Sequence, residues 1–575
     1  MSTPTSPASV PLLDFDEILT QIGEFGRFQR RNYLLICLPV LFAAANSLSY
    51  VFTAGAPTYR CLVPACDSLE APDYGADWVS IAVPGRWNKQ GHFTPDTCYK
   101  FVENKTDLEI PSSEQCTADN FTTYTERCWQ FVYDGCERTI VQEWGLQCQE
   151  NLWKLAFVGT THFAGLVVGT ALSGYLADRF GRKHVFLDCI VFMALTGVGQ
   201  ALAWDYISFL VFVFLNAVGT SGVYPLAFII GVEMVGPRKR EMSSIVLNYF
   251  YAVGEALLGL AFFLPNWRNL QLVLSLPPLV CVGYFWLVPE SVRWLLARDR
   301  REQAGTIIRK VAKVNRRDIS VELMASFKQQ ELEAQGVTSE EIAADITLVE
   351  QKDDQIWVAV KQVLSSHILM GRYAIMLFVW AVNAIVYYGL SLNATSLSGN
   401  KYLNFTLVCL VEIPGYSLAW VFLRRLGRRW ALSGSLLLCS VTCVASGFVT
   451  MAQSEWIWIG AFFKKSWICA NWLVVSLFLI GKLGITSSFA VIYTYTAEMM
   501  PTVIRSGGVG VMSTFARFGA MLAPFVPLLA SYYEPLPLLL FGATSLVAGL
   551  VSLLLPETFH KKLPDTVEEA IALGK

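Results

Sequence analysis

The chain has 575 residues, 44 Lys+Arg against 46 Asp+Glu, 54% hydrophobic residues and 16% charged. Soluble domains carry about 25% charged residues, so this chain holds too little charge for a soluble protein of its size. Its mean hydropathy of +0.44 and its repeated apolar stretches describe a polytopic membrane protein instead. A net charge of -2 argues against nucleic acid as a partner, and 13% aromatic residues exclude a solvated coil for most of the chain.

Residues 1–32 form a polar segment ending in Arg27, Arg30 and Arg31, read as a cytoplasmic N-terminus without a signal peptide. The first apolar stretch, Tyr33–Val51, opens a first half over 33–288. A polar segment at 54–151 follows, then five apolar stretches near Leu152–Leu176, His184–Trp204, Ile207–Val232, Ser243–Leu264 and Leu270–Val288. A second polar segment occupies 289–367. Six more stretches, near Leu369–Leu392, Tyr402–Leu423, Trp430–Met451, Leu473–Thr496, Gly507–Ala530 and Leu536–Leu555, make a second half over 368–555. A tail spans 556–575. The expected fold is an all-α membrane protein of twelve transmembrane helices in two six-helix halves. Continuous apolar runs, without alternation, exclude a β-barrel.

Short loops set the orientation. Basic residues gather in the even-numbered turns, at Arg179, Arg182 and Lys183, at Arg238, Lys239 and Arg240, and at Arg424, Arg425, Arg428 and Arg429. The positive-inside rule then places both termini in the cytoplasm and the 54–151 loop outside. That loop holds Cys61, Cys66, Cys98, Cys116, Cys128, Cys136 and Cys148, as an oxidised extracellular framework would. Seven is odd, so one thiol is expected to stay free, and the pairing is open. Two glycosylation sequons begin at Asn104 and Asn120. The central loop changes sign: Arg293–Arg317 has nine basic and two acidic residues, Asp318–Asp354 ten acidic and two basic. Amphipathic helices on the inner leaflet, basic part nearest anionic lipid, are expected there.

Three motifs occur twice. Asp178-Arg179-Phe180-Gly181-Arg182-Lys183 matches Arg424-Arg425-Leu426-Gly427-Arg428-Arg429. Glu233 to Arg240 resembles Glu498 to Arg505, and Pro289-Glu290-Ser291 matches Pro556-Glu557-Thr558. Two halves with the same turn chemistry describe a carrier with parallel repeats, whose substrate binds near the midplane between them. The longer run from Gly174 to Lys183 resembles the signature of the major facilitator superfamily. Within it, Pro265-Asn266-Trp267-Arg268, Pro289-Glu290-Ser291-Val292-Arg293-Trp294-Leu295, Gly481-Lys482-Leu483-Gly484-Ile485-Thr486 and Ala497-Glu498-Met499-Met500-Pro501 resemble the solute-carrier family of organic cation, carnitine and organic anion transporters. The gating residues this implies are Gly174, Asp178, Arg179, Gly181, Arg182, Lys183, Glu233 and Glu498. Asp178 is expected to cap or to pair across to the other half, and the arginines also serve as plain topology anchors.

Charges inside the spans need explanation, because each costs about 2.5–3.5 kcal/mol at a span centre. Four stand near the midplane: Glu255 in span 5, Glu412 in span 8, Lys482 in span 10 and Arg517 in span 11. Glu412 and Lys482 match an acid and a base of the family and are expected to pair, as a fixed structural bridge or as a pair loosened by a cationic substrate. By resemblance, the Arg517 position holds aspartate in strict cation carriers and arginine in carnitine and anion carriers. A guanidinium offers a carboxylate two prongs; its other reading is a partner for an acid such as Glu255. Glu255 departs from the family, either offsetting Arg517 or receiving a substrate amine. His162 in span 2 reads as a packing residue.

The resemblance places Tyr224, Phe228, Asn248, Tyr251, Trp380, Tyr387 and Phe489 on the cavity wall, where rings suit an alkylammonium group. Nucleotide, metal and serine-nucleophile motifs are missing from the sequence, so neither an enzyme nor a cofactor is expected. The function expected is a secondary-active or facilitative plasma-membrane carrier of small organic cations or zwitterions (carnitine, betaine or β-alanine types). Co-transport of Na⁺ or H⁺ is left open. An organic anion exchanger, a carrier of carboxyl-free amines such as carcinine, and a non-transporting receptor are the other readings.

Overall fold

The computed structural model describes residues 15–68, 72–87, 93–104, 116–298, 300–317, 357–455, 464–561, 563–564 and 566–573. Among them, eleven helices are long and apolar enough to cross a membrane. Six lie in the first half of the chain: Arg27–Thr53, Gln149–Phe180, Arg182–Ala201, Tyr206–Met234, Pro237–Phe263 and Trp267–Leu287. Five follow in the second: His367–Ser396, Lys401–Arg425, Arg428–Ala452, Asn471–Met499 and Gly507–Ser531. These are spans 1 to 11. A last apolar helix, Leu536–Ser552, has 17 residues, which at 1.5 Å per residue is about 26 Å.

Proline interrupts several spans, since it removes a backbone donor and crowds the carbonyl four residues back. Span 6 turns into a 3₁₀ segment at Pro277–Gly283, and span 11 does so at Ala523–Ser531, which contains Pro524 and Pro527. In span 8, Pro414 strips the donor facing the Leu410 carbonyl, and the helix divides into Lys401–Leu410 and Glu412–Arg425. Glu412 therefore sits in a first helical turn, where the helix dipole favours a carboxylate.

Spans 2 and 11 pack together, as do spans 5 and 8, and these contacts join the two halves of the chain. Gly254 brings span 5 onto span 1: a Cβ there would stand 2.3 Å from the Leu41 carbonyl oxygen. The adjoining Glu255 is held in that tight seam.

The long loop is a small folded unit. Tyr59–Cys61 pairs antiparallel with Phe131–Tyr133, and Tyr99–Glu103 with Phe121–Arg127. Disulfides join Cys61 to Cys128, Cys66 to Cys116 and Cys98 to Cys148, leaving Cys136 as an exposed thiol outside the pairing. At its centre the buried Arg60 forks onto Asp67 at 2.7 and 2.8 Å and also donates to the carbonyls of Cys61, Asp73 and Tyr74. A buried guanidinium with this many acceptors is a satisfied one.

On the opposite face, helix Arg301–Asn315 buries Ala304, Ile308, Val311 and Ala312 against Ile18 and Leu19 of helix Phe15–Gln21 and Ile22 just after it. Asn315 fastens the two: it accepts from Phe28 N at 3.0 Å and donates to the Ile22 carbonyl at 2.9 Å. The apolar face of the basic central-loop helix is thus covered by protein. The acidic stretch Asp318–Asp354 lies outside the described residues.

Candidate functional site

Three spans of the second half build a dry ionic cluster. Lys482 and Glu412 are both fully buried, with Nζ 2.7 Å from Oε1. The same ammonium donates to Ser391 Oγ at 2.7 Å and to the Tyr387 carbonyl at 3.2 Å, while its contact with Glu412 Oε1 is an ion pair without hydrogen-bond geometry. Tyr387 turns its hydroxyl onto the other Glu412 oxygen at 2.8 Å, and its ring lies 3.5 Å from Lys482 Nζ. Glu255 of span 5, 0% exposed, adjoins this cluster from the first half; Glu412 and Lys482 are the charges acting on it. Neither of its carboxyl oxygens has a hydrogen-bond partner.

Aromatic rings surround the cluster. Phe489 lies 5.2 Å from Tyr387 and 6.1 Å from Trp380, centroid to centroid. Trp380 is wholly buried and its indole N–H donates to Thr496 Oγ1 at 2.9 Å, so it supports the ring layer from behind. From span 4, Tyr224 donates to Asn248 Oδ1 at 2.6 Å and meets the edge of Tyr251 at 5.3 Å. Phe228, 39% exposed, stands outside this packed group.

Arg517 donates through Nη1 to Ser513 of its own helix, at 2.8 Å to Oγ and 3.1 Å to the carbonyl. Among the described residues it has no ion-pair partner, and Glu255 does not pair with it. The link between Arg517 and the cluster is Tyr388, which lies within electrostatic reach of Arg517, Glu255 and Glu412. Sequence reading missed Tyr388; its neighbour Tyr387 carried the family match, and nothing in the local pattern separates the two. His162 is buried against Tyr50, ring centroids 5.8 Å apart, and neither His162 Nε2 nor the Tyr50 hydroxyl has a partner.

The two repeats hold matching charged clusters on the face that carries the basic turns. In the first, Arg182 pairs with Glu233, which also accepts from Ser291 Oγ, while Glu290 accepts from Lys183 N at 3.0 Å. In the second, Arg428 pairs with Glu498 at 2.8 Å, and Glu498 accepts from Thr558 Oγ1 at 2.6 Å. Gly181 and Gly427 take φ of +111° and +83°, a turn geometry that disfavours any side chain. The Asp178 main-chain carbonyl accepts from Trp294 and Arg298 of the central loop, and no contact of Asp178 with the second half is found among the described residues. Arg179 bonds to Tyr175, and the Gly174 Cβ position meets open space. Among the described residues, Glu241 and Arg424 pair across the two halves on this face, at 3.1 Å.

On the loop face, Glu137 reaches across to Lys401 at 2.5 Å and to the Tyr402 hydroxyl. Phe52 of span 1 stacks on Tyr402, centroids 5.3 Å apart, and meets the edge of Phe405. The loop is fastened to the first half by Arg138, whose main chain exchanges bonds with Pro265 and Trp267, and by Glu143. Glu143 accepts from Trp267 Nε1 at 2.8 Å and from Arg268. Burial alone would raise the Glu143 pKa, but the bonds from Arg268 and Trp267 outweigh it and hold the carboxyl below its ordinary range.

Residues 115–476 match the family described as sugar (and other) transporter. An organic cation transporter protein of Drosophila melanogaster is 34% identical, across 98% of this chain and 95% of that protein. The organic cation/carnitine transporter 2 of Mus musculus is 31% identical, across 97% and 94%. Among solved structures, a proton:xylose symporter of the major facilitator superfamily aligns with a TM-score of 0.54 at 16% identity, covering 95% of this chain and 99% of its own. A partially occluded inward-open xylose transporter of E. coli gives 0.56 at 14% identity, covering 91% and 98%. At such low identity these two speak for the fold.

Proposed function

We propose a substrate class and a transport cycle for this chain, which belongs to the major facilitator superfamily and, within it, to the solute-carrier family of organic cation, carnitine and organic anion transporters. It is a multi-pass membrane transporter and not an enzyme. In our reading it carries small organic cations and ammonium-carboxylate zwitterions across the cell membrane by alternating access. Twelve spans form two six-helix halves, 33–288 and 368–555, with Leu536–Ser552 as the twelfth span. Both termini, the central loop 289–367 and the tail 556–575 face the cytoplasm, and loop 54–151 is extracellular.

The observation that carries the substrate class is the division of charge across the site. Acid and aromatic groups (Glu412, Glu255, Tyr387, Phe489) gather in one cluster, and Arg517 on span 11 has no ion-pair partner among the described residues. A cation alone suits the cluster and is repelled by the guanidinium. A zwitterion satisfies both, its ammonium on the rings and its carboxylate on the guanidinium. Tyr224, Asn248 and Tyr251 wall the site, and Phe228 and Trp380 back it. An outward dicarboxylate gradient driving uptake would instead favour anion exchange, a reading that the same unpaired Arg517 invites.

Uptake into vesicles containing only this protein tests the reading. Radiolabelled carnitine should enter faster than tetraethylammonium, carcinine or a dicarboxylate. If a carboxyl-free amine outruns every zwitterion, the substrate class is wrong; if nothing accumulates, transport of these compounds is wrong. Topology has its own test. Glycans are expected on Asn104 and Asn120 but not on Asn393 or Asn404, both of which are buried. Mobility shifts of Asn→Gln variants decide it.

A further inference from the structure

We infer that the corner between the start of span 1 and the end of helix Arg301–Asn315 binds a lipid headgroup bearing several phosphates, that of a polyphosphoinositide. The inference rests on the orientation proposed above, which turns this corner toward the cytoplasmic leaflet. Two segments remote in sequence supply its cations. Arg27, Arg30 and Arg31 come from span 1; Lys313, Arg316 and Arg317 come from the helix end and the turn after it, and all six are exposed. None of the six forms an ion pair among the described residues. Neither Gly26–Leu48 nor Gln303–Arg317 contains an acid, and Glu24, just ahead of the first, faces Arg238 at 3.8 Å. A concentration of like charge such as this calls for an anion.

Asn315 brings the two segments together. It accepts from Phe28 N at 3.0 Å, 287 positions earlier, and donates to Gln29 Oε1 at 2.8 Å. A Cβ on Gly26 would stand 2.4 Å from Asn315 Cγ, so the helix end is seated directly on the first turn of span 1. Arg27 follows Gly26 in the chain, and Arg316 follows Asn315. The helix stops in a left-handed turn at Arg316, φ +56°, with Arg317 N donating to the Ala312 carbonyl at 3.1 Å. Glycine takes such a turn without steric cost. Here the position carries an arginine, which adds a cation at the corner.

Span 1 carries the argument from an anion to a lipid. Arg27, Arg30 and Arg31 stand at i, i+3 and i+4 and share one helix face. Leu34 and Leu38, 53% and 37% exposed, continue the same stripe. The stripe changes from apolar to basic within one turn, about 5 Å, which is the scale on which acyl chains give way to headgroups. Arg30 and Arg31 lie over the rings of Phe25 and Phe28, each 5.8 Å from the centroid. Resting on a ring steadies the guanidinium plane and leaves its N–H edge for phosphate oxygens. A headgroup with one negative charge would leave most of the six cations unmatched. A ring with two or three phosphates meets cations from both segments at once, while its chains lie along the leucines.

The test uses full-length protein in phosphatidylcholine nanodiscs, titrated with fluorescent short-chain phosphatidylinositol bisphosphate. Phosphatidylserine of the same chain length and inositol trisphosphate, a headgroup without chains, are the comparison ligands. The bisphosphate lipid should bind about tenfold tighter than either. Arg30→Gln with Arg31→Gln, and separately Lys313→Gln with Arg316→Gln, should each weaken it, by about fivefold for every cation removed. Arg425→Gln with Lys561→Gln, two exposed cations of the second half, should leave it unchanged. Arg31→Gln and Arg316→Gln alone serve if a pair is not recovered. Phosphatidylserine binding as tightly, or the control pair weakening as much, reduces the corner to diffuse surface charge and overturns the site. Equal binding of inositol trisphosphate overturns the lipid as its ligand. Loss from only one of the two pairs overturns the joint role of span 1 and the helix. Nanodiscs expose both leaflets, so binding is read apart from orientation; protease protection of a terminal tag in sealed cells reads that, and exposed termini with binding intact overturn the cytoplasmic placement alone.

Discussion

Glu290 and Glu557, 267 positions apart, do the same job in the two repeats: each accepts a backbone N–H from the first turn of the helix that follows a positive-φ glycine. Glu290 takes Lys183 N at 3.0 Å, and Glu557 takes Arg428 N at 2.9 Å and Arg429 N at 3.1 Å. Helix N-termini leave donors without intrahelical partners, and a carboxylate there also meets the positive end of the dipole. The acids lie remote in sequence from the helices they cap, so each also ties the end of the sixth helix of its half to the start of the third.

From this follows a stability prediction. Glu290→Ala and Glu557→Ala should each cost about 1–2 kcal/mol, the scale of a lost helix cap. The sites share no partner, so the double variant should lose the sum. Thermal unfolding of detergent-purified protein measures both; a double variant no worse than one single would mean that the caps act as a unit.

Glu412 and Lys482 should behave in the opposite way. Glu412→Gln or Lys482→Gln leaves one buried charge without its partner, a loss of about 3–5 kcal/mol. The double change removes both charges and should be less harmful than the singles combined. A double-mutant cycle on recovered folded protein reads the coupling, and strict additivity would show that the 2.7 Å contact carries no net interaction.

Arg517 separates substrate class from stability. Arg517→Lys keeps the charge but loses the planar fork, so carnitine uptake should fall by about tenfold while tetraethylammonium uptake changes little. Arg517→Asp should turn preference toward plain cations. Competition between the two labelled compounds at fixed concentration gives the ratio directly.

Loop docking should depend on pH in acid only. The Glu143 pKa is lowered in the folded protein, so its contribution is complete above the ordinary carboxylate value and disappears as pH falls through the depressed one. Protease protection of the loop should stay level from neutral to mildly acid pH and drop below that. Glu143→Gln should be less protected at neutral pH, with the acid step reduced.

How much of this was readable beforehand varies with the range of the interaction. Spans declare themselves by apolar length, and the repeated turns by order and spacing. Glu412 and Lys482 stand out because a charge within an apolar run has few explanations, and they do lie side by side. Other features depend on distances that no local pattern encodes. The three disulfides bridge 50 to 67 residues, and which cysteine stays out is decided by the ribbons between them. Tyr388 matters for where the helix turns it, and Asn315 for meeting a segment almost 300 positions earlier, at Ile22. The division of span 8 before Glu412 follows from Pro414, a signal present in the sequence but subtle beside so long an apolar stretch.

Two adjacent residues of the long first loop hold opposite halves of the transporter. The Arg138 main chain is stitched to Pro265 and Trp267, while the Glu137 carboxylate grips Lys401 and Tyr402. Parting the two halves on this face would break the Glu137 contacts and leave those of Arg138 intact, as a clasp does. A compound or antibody that fastened this clasp would slow every cargo equally, and raising the cargo concentration would not relieve the block.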